Sequence, residues 1–484
     1  MKKALLLILT AMLLLSSLAS CSSCSRRDQY EDQLESQKEA EAGALTPQPG
    51  ADGVANIIAT NPSDYALNVI KKTADKGYFE GNTEAQLTEK YKNNAYQFAG
   101  NRYLPTGRVI GAGNGQNYFY NKLTGNISEW CPDPLCEHGE DCIWNHGWTA
   151  DPMLFVGEDH VYFLSNYNDF TLRLYRCDFQ RNNVEMILDN ALDIYNIWYE
   201  KDNVLYYEQF VYASEGAAAV NTLMALDMQT GETKAVSDPK KDMFIQAIIR
   251  DAVYFSYESD PKTVYKTDLS FSNPQKLWEN AGFESYNDKY ILTRGNKDEN
   301  GKYAFSVCHI DSGKIYSLGS LTGSLVLSGD YVYYTQELSD EEIADDPHKD
   351  YYTWTWDNED VFIDQGGGYG IIEKGEKGLT ARTRPAGRIF RMKTDGTEKE
   401  CVLQLTYKGV PVRIDSWSVD GECIWFTYNH YDEFKNYYNQ DYGSDKQTQI
   451  KPSDAEPRHL AMADLQSGIL RVVELEEEGC EGLW

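Results

Sequence analysis

One unit recurs through most of this chain and constrains its fold more than any other feature. Each copy has a turn rich in Gly, Asp or Asn, followed by a run of β-branched and aromatic residues typical of a buried strand. One marker residue in each run gives intervals of 44, 48, 37, 42 and 92 residues, and the last interval is one repeat plus an insertion. The markers are Tyr162, Tyr206, Tyr254, Ile291, Tyr333 and Trp425.

A second recurring element lies between the markers: an alternating strand, a tight turn and another strand. Asp227 to Gly231 and Asp464 to Gly468 are two of these turns. Glycine supplies the positive φ of such a turn, and an Asp side chain bonds back to nearby backbone amides. Four short strands every ~40–45 residues are typical of a β-propeller blade.

The sequence therefore predicts an all-β fold, a β-propeller of about seven four-stranded blades. A pair of β-sandwiches is the alternative, and six or eight blades would also fit the pattern. The predicted units are 100–131, 153–190, 194–237, 244–279, 283–319, 324–406 and 412–475.

The N-terminus has the pattern of an export signal. Lys2 and Lys3 precede an apolar run, residues 4–18, that is shorter than the ~20 residues of a membrane-spanning helix. The run ends in Leu18-Ala19-Ser20-Cys21, which matches a lipobox. We therefore predict a lipoprotein signal peptide over 1–20 and a lipid anchor on Cys21, and the alternative is an ordinary signal with a chance cysteine.

Composition divides the rest of the chain. Residues 21–60 are poor in large apolar side chains and predict a lipidated flexible tether. Residues 61–96 predict a partly helical extension, 97–475 the propeller and 476–484 an acidic tail.

Charge and hydropathy limit the partners. The chain has 75 Asp and Glu against 45 Lys and Arg, a formal net charge of −30, so nucleic acid is not an expected partner. No second apolar segment approaches membrane-spanning length. We expect an exported protein held on the extracytoplasmic face of a membrane by the lipid on Cys21.

Three unusual segments fall in loops that a propeller would bring to one face. They are residues 131–150, 339–386 and 429–457, and the units that carry them would be neighbours in a closed ring. Aromatic rings beside carboxylates and amides suit a glycan or peptide ligand, although such loops could also fold on themselves as a cap. The predicted ligand-binding residues are Tyr351, Tyr352, Trp354, Trp356, Asp357, Tyr431, Tyr437 and Tyr438.

A cysteine-rich segment lies in the first of these loops. Cys131, Cys136, His138 and Cys142 are close in sequence, and thiolates with an imidazole are zinc ligands. A disulfide with a spare thiol is the competing interpretation, because an exported location permits it. We predict no cofactor other than this structural zinc, and the choice between disulfide and metal stays open.

The lipobox, the acidic tether, the Val-Tyr-Phe-type runs and the segment from Cys131 to Cys142 together resemble a known group. It comprises clostridial-type, Gram-positive extracytoplasmic β-propeller lipoproteins of uncharacterised function, similar to TolB-like and YWTD-like propellers. The resemblance covers most of residues 95–475. It implies a fold and a location, and it brings no catalytic residues.

The sequence contains no G-x-S-x-G or H-E-x-x-H motif, so no catalytic residue is predicted. The leading hypothesis is a non-enzymatic binding module on the face formed by the three loops. One alternative is an extracellular carbohydrate-active hydrolase or lyase that uses carboxylates between Asp340 and Asp364. The other is a scaffold in envelope assembly.

Overall fold

The structure is a computed structural model, and nearly all of its assigned elements are strands. In the described part of the chain, no helix combines the length and the apolar composition that crossing a membrane requires. The described residues are 56–60, 63–69, 86–87, 103–104, 107–111, 117–123, 127–133, 135–136, 142–144, 154–166, 171–191, 193–212, 219–238, 243–299, 302–321, 325–336, 338–347, 349, 353–356, 379–382, 388–430 and 459–475.

Seven antiparallel sheets, each built on four consecutive main strands, form the blades of a propeller. The prediction of a seven-bladed β-propeller is therefore confirmed. The strands of blades 1–4, in chain order, are β3 (Tyr103–Leu104), β4 (Gly107–Gly111), β5 (Asn117–Asn121) and β6 (Ile127–Glu129); β7 (Leu154–Val156), β8 (Val161–Asn166), β9 (Leu172–Cys177) and β10 (Glu185–Leu188); β11 (Ile194–Lys201), β12 (Val204–Tyr212), β13 (Ala219–Asp227) and β14 (Thr233–Ala235); and β15 (Met243–Ile249), β16 (Ala252–Tyr257), β17 (Asp260–Asp268) and β18 (Gln275–Glu279).

Blades 5–7 follow the same order, and two of them carry insertions between their second and third strands. Their strands are β19 (Gly282–Tyr286), β20 (Tyr290–Lys297), β21 (Tyr303–His309) and β22 (Ile315–Leu321); β23 (Leu325–Ser328), β24 (Tyr331–Thr335), β27 (Arg388–Lys393) and β28 (Glu400–Tyr407); and β30 (Arg413–Asp420), β31 (Cys423–Asn429), β32 (His459–Asp464) and β33 (Ile469–Leu475). The insertion of blade 6 holds helix α1 (Asp340–Asp345) and the hairpin β25 (Thr353–Trp356) with β26 (Leu379–Arg382), and β29 (Val410–Pro411) pairs with β28.

Each blade buries both of its faces against its neighbours, which explains why the repeated runs are almost continuously apolar. Val161 and Phe163 pack toward blade 1, whereas Tyr162 and Leu164, on the opposite face of β8, pack toward blade 3. Similar clusters join blades 3 and 4, 4 and 5, 5 and 6, and 6 and 7. The remaining cluster unites side chains of blades 7, 1 and 2, so the ring is closed.

Two N-terminal strands add to the outer edges of the last two blades. β1 (Asn56–Thr60) pairs with β33 of blade 7, and β2 (Tyr65–Val69) pairs with β28 of blade 6. The tether prediction is therefore wrong for residues 56–60, and residues 65–69 of the predicted helical extension are a strand. The reason is that an outer blade edge offers unpaired backbone groups to any extended segment.

The turns between third and fourth strands follow the predicted chemistry. Asp227 Oδ1 accepts hydrogen bonds from the amides of Gln229 and Thr230, at 2.8 and 3.0 Å. Gly231, which closes this turn, has a φ of 72°. Asp464 makes the same pair of bonds to Gln466 and Ser467, at 3.0 and 2.9 Å. The repeated Asp and Gly thus fix the hairpins whose ends form one face of the ring.

Candidate functional site

The three unusual segments all leave their blades at strand ends on the same face of the ring. Strands alternate in direction within a blade, so loops from second to third strands share a face with loops from one blade to the next. The insertion after β24, the insertion after β31 and the connection from β6 to β7 are loops of these kinds. Blades 6, 7 and 1 are neighbours in the closed ring. We call the part of this face above blades 6, 7 and 1 the decorated face.

Four rings cluster where the insertion of blade 7 begins and ends. Tyr407 stacks on His430 with 3.8 Å between ring centroids, and His430 stacks on His459 at 4.5 Å. Tyr428 lies 5.3 Å from His459. Tyr428 and His430 are buried, whereas Tyr407 and His459 are half-buried. These four residues, the ring cluster, join β28, the fourth main strand of blade 6, to the middle strands of blade 7.

None of the four residues of the ring cluster is among the predicted ligand-binding residues. His430 lies inside the predicted loop 429–457 and Tyr428 directly precedes it, whereas nothing in the sequence pattern pointed to Tyr407 or His459. Tyr407 ends β28 and His459 begins β32, so both lie where strands reach the decorated face. An aromatic or imidazole ring at a strand end on that face is the signal that would have found them.

The insertion of blade 6 begins with a capped helix that is fixed to its own blade. Ser339 caps α1, and the capping box with Glu342 is complete. Glu342 also forms an ion pair with Arg388, the first residue of β27, at 3.2 Å. A backbone hydrogen bond from Ser339 and the pairing with Arg388 lower the pKa of Glu342. The insertion therefore leaves the blade in a defined direction.

Most of the predicted ligand-binding residues lie outside the described residues: Tyr351, Tyr352, Asp357, Tyr431, Tyr437 and Tyr438. Trp354 and Trp356 lie on β25, where their backbones pair with Ala381 and Leu379 of β26. The backbone of this hairpin thus places two of the predicted residues on one regular element. Cys21 also lies outside the described residues.

Three cysteines of the predicted cluster converge. The sulfur atoms of Cys131, Cys136 and Cys142 all lie within 4.8 Å of one another, whereas His138 lies outside the described residues. Burial raises the pKa of the Cys131 thiol to about 12, and it raises the pKa of Cys142 as well. Outside this cluster, Cys177 and Cys423 are fully buried, whereas Cys308 is half-buried.

The buried carboxylates of the described residues all have structural partners. Glu208 accepts a hydrogen bond from Trp198 Nε1 at 2.8 Å, and Glu284 pairs with Arg294 at 3.2 Å. The remaining ones are Glu200, Asp420 and Asp464, which contact Tyr162, Lys122 and Cys423 respectively. These carboxylates hold strands and blades together.

No protein-family model matches the chain, and no curated protein matches it. Among solved structures, an oligogalacturonate lyase in complex with manganese has a TM-score of 0.42 and 11% identity, and the match covers 88% of this chain and 97% of the lyase. The β-propeller domain of the trilobed protease from Pyrococcus furiosus, which has an open velcro topology, has a TM-score of 0.36 and 10% identity, with 75% and 86% covered.

The tricorn protease has a TM-score of 0.35 and 12% identity; the match covers 74% of this chain, which spans only 33% of that protease. At TM-scores this low, the similarities carry no argument about what this chain binds or catalyses. The strand order and the closed ring of core clusters therefore identify the chain, without help from these comparisons, as a seven-bladed β-propeller.

Proposed function

We propose that this protein is a membrane-anchored, surface-exposed propeller that acts as a non-enzymatic binding module, with its ligand on the decorated face. The ring cluster carries the proposal, because it places flat rings with polar tips at the point from which an insertion leaves the blade.

Of the two ligand classes that suit aromatic loops, a glycan fits this cluster better than a peptide. The half-buried Tyr407 and His459 offer ring edges that can contact the apolar face of a sugar ring, while their phenol and imidazole groups can bond to hydroxyls. A net charge of −30 repels anionic polymers, so we propose an uncharged or cationic glycan. Peptide binding is the alternative outcome of the same test.

Tyr407→Ala is expected to weaken glycan binding about tenfold, since a ring contact contributes about 1.4 kcal/mol. Full-length protein in detergent would be screened on a glycan array and against cell-wall fractions, followed by titration of the strongest ligand. Tyr290→Ala is the matched control. The ring of Tyr290 also contacts a histidine, His309, with 5.1 Å between ring centroids, but it lies in blade 5 at the face of the propeller opposite the decorated face. Equal effects of both changes, or no retention on any glycan, peptide or wall fraction, would reject the proposed site.

The proposed membrane anchor has its own test. Cys21→Ser is expected to abolish incorporation of labelled fatty acid and to release the protein from the membrane fraction, because the anchoring sulfur is lost. Cell fractionation with immunoblotting measures the release, and Cys24→Ser is the control. Retention of the Cys21→Ser protein on membranes, with labelling intact, would contradict anchoring at this residue.

A further inference from the structure

The connection between blades 1 and 2 brings three thiols to one point. Leu135 N donates to Asp133 Oδ1 at 2.9 Å, and Cys136 N donates to Asp133 O at 3.2 Å, so the chain turns back after Cys131. All three sulfur atoms, including that of Cys142, lie within 4.8 Å of one another.

Aromatic packing holds the residues on either side of the three cysteines, Trp130 and Trp144. Trp130 and Trp144 meet edge to face at 5.1 Å, and Trp144 stacks on Phe163 of blade 2 at 4.6 Å. Cys131 directly follows Trp130, and Cys142 lies two residues before Trp144. The sulfur atoms are therefore positioned by the junction of two blades.

We propose that Cys131, Cys136 and Cys142 bind a zinc ion as three thiolates, with another donor completing the tetrahedron. A Zn–S bond of about 2.3 Å at tetrahedral angles separates sulfur atoms by about 3.8 Å, which the observed convergence accommodates with a small contraction. A disulfide uses two sulfur atoms and would leave the third thiol beside the bond, whereas a metal ion uses all three.

The charge around the cluster also suits three thiolates. Zinc with three thiolates carries one net negative charge. Arg181, a half-buried cation, donates to Trp130 O at 2.6 Å, lies over the Phe119 ring at 4.1 Å and interacts electrostatically with Cys131. A guanidinium at this place offsets the negative charge that the metal site would bring into an apolar region.

Zinc would hold the three cysteines of this connection in a fixed arrangement. The connection leaves from the decorated face, so the proposed ion fixes the blade 1 side of that face. The inference stands independently of the ligand, since it concerns the thiols alone. The proposed zinc ion has no reactive role, so its site is a structural one.

The test is metal analysis of the full-length protein, purified in detergent under reducing conditions. We expect about one zinc per chain. Chelator-stripped, reduced protein titrated with Co²⁺ should develop a thiolate-to-cobalt charge-transfer band that Zn²⁺ removes. Cys136→Ala, at the half-buried member, should weaken Co²⁺ binding roughly 100-fold or more, since losing even an outer-shell partner costs about 10–100-fold.

Cys308→Ala is the matched control, because Cys308 is a half-buried cysteine on β21 and should leave the band unchanged. The wild-type band needs no variant, so a folding defect in Cys136→Ala leaves the test intact. Absence of the band in reduced wild-type protein overturns the proposal. The proposal is also overturned if peptide mapping of non-reduced protein finds a stoichiometric disulfide between two of these three cysteines. Glycan binding is a separate measurement, and its outcome does not bear on the zinc site.

Discussion

Replacing Lys122 with methionine is expected to lower the free energy of unfolding by about 3–5 kcal/mol, because the change leaves a buried carboxylate without its cation. Lys122 lies in the turn after β5 of blade 1, and Asp420 ends β30 of blade 7. Lys122 Nζ lies 2.5 Å from Asp420 Oδ2, and the two side chains are 0% and 2% exposed. Methionine keeps most of the side-chain length, so the loss reports mainly on charge.

The pair lies at the junction where the two ends of the ring meet. The four main strands of blade 1 follow one another in the chain, and so do those of blade 7. Neither blade therefore borrows a main strand from the other end of the propeller. Side chains join them instead: Tyr120 meets Trp425 edge to face at 4.9 Å, and Arg471 donates to the Tyr120 hydroxyl at 3.0 Å. Loss of the ion pair should therefore increase amide hydrogen exchange in β5 and β30 before it increases exchange in the strands of other blades.

Urea unfolding measures the effect, and the chain offers a matched control. Lys201 pairs with Asp251 across blades 3 and 4, but these side chains are 40% and 46% exposed. Lys201→Met should cost less than about 1 kcal/mol. The double change Lys122→Met with Asp420→Leu should recover most of the loss, because an apolar pair removes the unpaired charge. Equal losses for Lys122→Met and Lys201→Met would contradict the argument.

Glu200→Leu is expected to destabilise the protein by about 2–4 kcal/mol, since it leaves buried donors without an acceptor. Glu200, on the first strand of blade 3, accepts from the Tyr162 hydroxyl at 2.6 Å and from Asp159 N at 3.1 Å. Nδ1 of His160 lies 3.1 Å from the same carboxylate. Three groups of blade 2 thus meet one side chain of blade 3.

The contribution of Glu200 should depend on pH. Burial alone would raise the pKa of Glu200, but the hydrogen bonds with His160, Tyr162 and Asp159 outweigh burial and hold this pKa below its usual 4.5. A carboxylate with a lowered folded-state pKa stabilises the fold above its unfolded-state pKa, and the contribution is lost as pH falls through the folded-state value.

The comparison is urea unfolding of wild type and Glu200→Gln between pH 7 and pH 3. The difference in unfolding free energy should be largest near pH 7 and should shrink below the unfolded-state pKa of 4.5. Glu185→Gln is the control, because Glu185 pairs with Arg176 at the surface and is 58% exposed. A difference that stays constant across this pH range would show that Glu200 does not act through its charge.

The repeat made the blades predictable from sequence. The predicted unit 153–190 corresponds to strands from Leu154 to Leu188, and the unit 412–475 corresponds to strands from Arg413 to Leu475. These matches are close because turn chemistry and strand pairing are local, and both are encoded within about 40 residues. The convergence of Cys131, Cys136 and Cys142 was within reach for the same reason.

The N-terminal strands could not be predicted in this way. Val69 pairs with Leu403 and Asn56 pairs with Leu475, partners that are hundreds of residues away. A five-residue strand at an outer edge needs no apolar alternation, because the edge supplies hydrogen bonds to any extended backbone. Linker composition therefore predicted a tether where a strand forms.

By itself the sequence determined the blade repeat and the loops that interrupt it, because each depends on neighbours within one repeat, whereas the structure fixed the number of blades at seven. Only the tertiary structure decided which side chains meet across repeats: Lys122 with Asp420, Glu200 with Tyr162, and Tyr407 with His430. Such pairs form when the ring closes and water is excluded between blades. Their partners are set by the radial order of the sheets, which no local pattern of residues contains.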